Sequence, residues 1–157
     1  MAIQIHAWAP LNGQLALAGI LEWEPESSVG VFEYAESWVG AEGAGAYELD
    51  PFNLRWNVGP IVVTQQTNKG IPGVFADAGP DNWGRYVIKK LGYREPQHEA
   101  EWVLHPAAVG TGALRFSSTP APPQFGGPPL RVSLEQLAEA AALIAEGGEP
   151  PPPMVQL

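Results

Sequence analysis

The pair Asn12-Gly13 lies between two segments of alternating character, and this constrains the fold more than any other feature. Asn-Gly readily supplies the two consecutive positive-φ residues of the tightest hairpin turn. Before it, Ile3-Gln4-Ile5-His6-Ala7-Trp8 alternates with a period near two. Ile3, Ile5 and Ala7 therefore share one face, and His6 and Trp8 the other. Leu15 to Trp23 reads as the return strand. Val29 to Tyr34, rich in β-branched and aromatic residues, is a third. Ala46–Leu49, Ile61–Thr64 and Ala113–Phe116 supply further short strands. Gly 18 and Pro 17 among 157 residues are far above the usual share, so an all-helical bundle is excluded. The fold class is α+β: a small antiparallel β-barrel or curled sheet with flanking helices.

The period changes in the middle of the chain. Pro80-Asp81 opens a helix over 81–91, with Asp81 placed to accept from the first free N–H groups. Trp83, Val87 and Leu91 fall four apart on one face, and Gly92 is set to end the helix. A second helix is expected over Gln97–Val109, with Pro106 cutting or kinking it. From this pattern, 1–116 is a β-rich domain that includes helix 81–91. The stretch 117–132, dense in proline, is a linker or loop. Ser133-Leu134-Glu135-Gln136 is a capping box for a helix over 133–147, closed by Gly147-Gly148. Residues 148–157 form a Pro-rich tail.

Charge and composition narrow the function. Lys plus Arg is 8 against 17 Asp plus Glu, a net −9. Phosphate neutralisation needs clustered cations, so the acidic balance argues against direct nucleic-acid binding, and a basic partner is the better match. With no cysteine, disulfides, thiolate metal sites and Cys nucleophiles are impossible. Met1–Pro10 has no Lys or Arg and resembles no signal peptide. The longest apolar runs, Leu15–Leu21 and Ala140–Ala145, fall far short of a bilayer span. The expectation is a soluble cytoplasmic protein with no membrane partner.

No catalytic set emerges. His6, His98 and His105 have no i,i+4 pair, so solvated or hydrogen-bonded histidines are favoured over metal ligands. Asp77 and Asp81 flank Ala78-Gly79-Pro80, so a turn that brought them together would raise one pKa for acid–base work. Turn and cap bonding explains both without a substrate. The serines lack a nucleophile-elbow setting. Gly110-Thr111-Gly112 precedes a strand, not a helix, and reads as a tight turn. Six tryptophans are expected to be mostly core, each indole N–H finding one partner. For Trp83, at a helix start beside Gly84 and Arg85, core packing leads and an interface anchor is the second reading.

One segment is recognisable. Gly70-Ile71-Pro72-Gly73-Val74-Phe75-Ala76-Asp77-Ala78-Gly79-Pro80-Asp81-Asn82-Trp83-Gly84-Arg85 resembles the pattern G-x-P-x-x-F-x-D-x-L-P-D-x-W-G-R. That pattern belongs to the N-terminal subdomain of HipA-type toxins, the serine/threonine kinases of bacterial toxin–antitoxin modules. Phe32-Glu33-Tyr34 with Trp38-Val39, then Ala46–Leu54, then Gly110–Phe116 resemble three more of its stretches in the same order. The helix Leu134–Ile144 stands where that family has one before its kinase core. The likeness runs over about residues 14 to 148. Gly79 replaces the usual Leu, and Trp56-Asn57 replaces a Pro-containing end.

The resemblance implies a small antiparallel barrel with flanking helices. It also implies a non-catalytic subdomain without cofactor or metal. The chain stops before the Gly-rich loop, the ATP-binding Lys and the catalytic Asp residues that full-length relatives carry. It is therefore expected to be a piece of a larger kinase and no enzyme by itself. The implied partners are a HipA-like kinase core, in cis or as a separate chain, and an antitoxin protein. Phe75, Asp77, Asp81, Trp83 and Arg85 are the expected partner contacts, with aromatic anchors in the middle and charges at the rim. The runner-up is a free-standing antitoxin subunit that blocks a separate short kinase. A small acid–base enzyme using Asp77 and Asp81 ranks last.

Overall fold

The computed structural model describes residues 1–56, 59–64, 69–90, 92–106, 112–123 and 134–148. The described chain divides into two compact units: Met1–Pro80 with Pro96–Pro123, and Asp81–Glu95 with the segment from Gln124 onward. Among the described residues, no helix is long and apolar enough to cross a membrane.

The first unit is built on an antiparallel sheet. Its strands are β1 (Ile3–Leu11), β2 (Gln14–Glu24), β3 (Val29–Tyr34), β4 (Ile61–Val63) and β5 (Arg115–Ser117). Their order is β4-β3-β2-β1-β5. The sheet is curled and open, so of the two expected forms it is the sheet and not the barrel. Asn12 and Gly13 have φ of 51° and 79° and join Leu11 to its partner Gln14, the turn the sequence demands. The register shifts between Ala7 and Trp8: Ala7 faces Gly19, Trp8 faces Leu17, and Ala18 is the extra residue. The Ala18 carbonyl, released by this bulge, accepts from the Ala35 N–H at 3.0 Å and ties the end of β3 to β2.

One sheet face carries Ile5, Leu21, Trp23, Phe32, Tyr34 and Val63, all buried. Against it pack α1 (Glu36–Val39), α2 (Gly73–Ala78) and α4 (Glu99–Val103), through Trp38, Phe75, Ala100 and Val103. Phe75 lies edge-on to Phe32 at 5.7 Å and tilted against Phe116 at 4.8 Å. His6 and Trp8 lie on the opposite face, as the alternation predicts. Both are buried, at 2% and 7% exposure, and the Nδ1 of His6 has no hydrogen-bond partner. His6 is thus neither solvated nor bonded at that atom. Trp8 does find a partner, donating its indole N–H to the Ser117 Oγ at 2.8 Å. The indoles of Trp23 and Trp38 donate to the Lys69 and Tyr47 carbonyls at 2.7 and 3.0 Å.

Two sequence expectations need correction, and one helix was not anticipated. Ala46–Leu49 is not a strand. Asp50 accepts the Phe52 and Asn53 N–H groups at 2.9 and 3.0 Å, which turns the chain at Pro51, and a single bridge joins Asp50 to Leu54. The helix expected over 97–109 is only Glu99–Val103. Leu104 leaves the helical region two residues before Pro106, whose missing N–H and bulk forbid continuation; positions 107–109 lie outside the described residues. Helix α2 had no periodic signal in six residues.

The second unit holds α3 (Asn82–Lys90) and α5 (Leu134–Ala145). Gly92 follows α3 with φ +80°, as its placement predicts. Beyond α5, the Gly148 N–H bonds the Leu143 carbonyl at 2.8 Å and the Gly147 N–H bonds Ile144 at 3.0 Å, the paired closure of a Schellman stop. Ile88, Ala140 and Ile144 are buried, and the Tyr86 hydroxyl donates to the Ile144 carbonyl at 3.0 Å. Ser133 of the capping box, most of the Pro-rich linker and the tail from 149 lie outside the described residues.

Candidate protein-contact site

The five expected contact residues are divided between the units. Phe75 and Asp77 sit on α2 of the first, whereas Asp81, Trp83 and Arg85 open α3 of the second. Phe75 is fully buried between Phe32 and Phe116, so its ring holds α2 to the sheet and is not offered to a partner. Asp77 is exposed on the same helix, as residues two apart on a helix point in different directions.

Of the two expected aromatic contacts, the accessible one is in the second unit. Asp81 caps α3: its Oδ1 accepts the Gly84 N–H at 2.7 Å, and its carbonyl receives the Arg85 N–H at 2.8 Å. The cap fixes the first turn and with it the direction of Trp83. That side chain is 46% exposed, so the core reading for Trp83 is overturned. One turn on, the Tyr86 ring stacks on the Trp83 indole with centroids 5.7 Å apart and planes 28° apart. Lys90 Nζ lies 5.6 Å from the Tyr86 ring centroid, and Lys89 pairs with Glu95. Arg85, Lys89, Lys90 and Arg94 are half of the 8 cations in the sequence, gathered in ten positions. The helix is thus short and rich in cations, with a half-exposed Trp propped on Tyr86.

Several other titratable groups are held by their surroundings. Burial pushes the Asp50 carboxyl up, but bonds from the Asn53 amide and the Phe52 and Asn53 N–H groups outweigh it and hold it low. The Tyr34 hydroxyl donates to the Leu54 carbonyl and accepts the Leu49 N–H at 2.9 Å. Burial pushes its pKa up to about 12, against the pull of the Leu49 bond and with help from Glu48 and Asp50. His98 packs on Trp23 at 5.4 Å, and burial lowers the pKa of His105. Among the described residues, no three His, Cys, Asp or Glu side chains gather in metal-binding geometry.

Comparison with curated proteins and with solved structures returns no match. A family model, HipA N-terminal domain, matches residues 11–117. The match begins at the hairpin turn, includes α2, α3 and α4, and ends with β5. It leaves α5 outside. Covering more than half of the sequence, it agrees with the order of the motifs and with the open sheet that carries them. The chain belongs to the HipA N-terminal domain family.

Proposed function

We propose that the chain works as the non-catalytic N-terminal subdomain of a HipA-like serine/threonine kinase in the cytoplasm. It packs on the kinase core and lends surface to the complex with an antitoxin. Family membership supports the subdomain reading, and the observation that carries the contact is the half-exposed Trp83 stacked on Tyr86. Trp83 is the anchor. Asp81 and Arg85 are charges at its rim, and Asp77, on α2 of the first unit, is a contact of its own. Phe75 acts through α2, whose position on the sheet it fixes.

The test is binding of the full chain to a HipA-like kinase core, measured by calorimetry with and without the antitoxin. Binding that Trp83→Ala weakens strongly supports the reading. Equal binding by wild type, Trp83→Ala and Arg85→Ala overturns the contact assignment. Loss of the core's phosphorylation activity on binding marks the chain as a blocking antitoxin subunit and overturns the subdomain reading.

A further inference from the structure

Strand β4 ends the sheet order, and among the described residues no strand pairs with its far side. An edge strand presents main-chain donors and acceptors that another chain can use, and proteins blunt such edges with Lys, Pro or bulges. Ile61-Val62-Val63 is short and follows Pro60, but holds no Lys or Pro within it, and Val62 is 62% exposed. Beside the strand is a cavity of about 200 Å³, lined by Asn53, Leu54, Val62, Val63, Thr64 and Pro72. It is smaller than the roughly 300 Å³ at which small-molecule pockets begin, and suits one aliphatic side chain. Phe52, preceding Asn53, is 85% exposed while its N–H is held by Asp50. An exposed ring on a pinned turn, a side-chain-sized cavity and a short open edge thus lie along one rim of the first unit.

We infer that this rim docks an extended, apolar segment of another protein bearing lysine or arginine at alternate positions. Charge decides the occupant. The first unit has 11 acidic and 3 basic residues, a net −8 of the chain's −9. Val62 pairs with Val31, which pairs with Glu22, so Glu22 and Glu33 share the face that Val62 presents. A second copy of β4 would bring a second net −8 to this edge and be repelled, whereas a cationic segment is attracted. Main-chain bonds to β4 supply affinity. One apolar side chain enters the cavity beside Phe52, and its cationic neighbours face the glutamates. None of these residues belongs to the Trp83 surface, so the two contacts succeed or fail independently.

The probe is an acetylated octapeptide alternating lysine and valine, titrated into the isotope-labelled full chain and followed by amide NMR. Ile61–Thr64 amides are expected to shift and gain exchange protection, and affinity to fall several-fold at high salt. Phe52→Ala, a surface change that leaves the fold intact, weakens binding roughly tenfold, as does Val62→Pro. Methylation of alternate peptide nitrogens abolishes it. Any of three results overturns the inference. The first is shifts confined to other regions. The second is equal binding of a glutamate–valine octapeptide. The third is sedimentation as a dimer whose interface is β4, with no response to the peptide.

Discussion

Gly30 and Gly70 meet without room for a side chain on either. A Cβ on Gly30 would lie 2.1 Å from the Gly70 carbonyl oxygen, and one on Gly70 would lie 2.3 Å from that of Ser28. The β2–β3 hairpin end is thereby clamped to the turn that leads into α2. The Trp23 indole bond to the Lys69 carbonyl reinforces the same junction. This crossing places Ile71, Pro72 and Phe75 in the core and sets Asp77 outside.

Gly30→Ala and Gly70→Ala are each expected to cost more than about 2 kcal/mol, because backbone must move to admit the methyl group. Gly70 adds the strain of a side chain at φ +81°. Lys69 is a useful contrast. It already holds φ +49°, so Lys69→Gly is expected to be neutral or stabilising by up to about 1 kcal/mol. Urea midpoints of the three variants check the ranking. Wild-type stability in Gly30→Ala would contradict the close crossing.

Tyr34 gives a pH signature. Its folded pKa, about 12, lies above the ordinary value near 10, so the native state holds the proton more tightly. The stabilisation is complete below pH 10 and is lost as pH rises from 10 through 12, about 3 kcal/mol in all. Tyr34→Phe removes the hydroxyl from the Leu49 N–H and the Leu54 carbonyl and leaves both without it. Its cost at neutral pH is about 1–3 kcal/mol. Its stability is also expected to vary less between pH 10 and 12 than that of wild type, as read by urea unfolding at each pH.

The strong strands were legible because hairpin chemistry and alternation act locally: Asn12-Gly13 set the first turn, and Val29–Tyr34 matched to the residue. What failed depended on tertiary partners. Ala46–Leu49 has strand-like residues, yet its Leu49 N–H bonds the Tyr34 side chain and not a neighbouring strand. Helix α2 is too short for a period and exists because Phe75 is captured by Phe32 and Phe116. The motif gave the order Phe75, Asp77, Asp81, Trp83, Arg85 but not their exposure. Spacing along a chain does not report that one aromatic is buried and the next half open.

His6 tests how an unpaired buried polar atom behaves. Its Nδ1 was desolvated on folding and gained no bond, a cost that an apolar side chain of similar volume avoids. His6→Leu is therefore expected to be neutral or stabilising by about 1 kcal/mol, whereas the nearby Trp8→Ala loses about 3 kcal/mol or more of buried ring. Thermal melts at neutral pH separate the two. Marked destabilisation of His6→Leu would show that the Nδ1 has a partner after all.

Asp81 and Trp83 separate folding from recognition at the α3 surface. Asp81→Ala removes the bond to the Gly84 N–H and is expected to cost about 1 kcal/mol of stability. Asp81→Asn keeps an oxygen in place, holds the cap and deletes only the charge, so it acts on the association rate with a kinase core and little on the melting temperature. Trp83→Ala loses the stack on Tyr86, about 1 kcal/mol, since the indole is already half in water. In the complex the same change is expected to cost at least about 2 kcal/mol of binding. Melting temperatures and calorimetric affinities of the three variants, measured side by side, decide the matter. If affinity drops only in proportion to stability, Trp83 is a structural residue of the second unit; if it drops far more, Trp83 is the anchor.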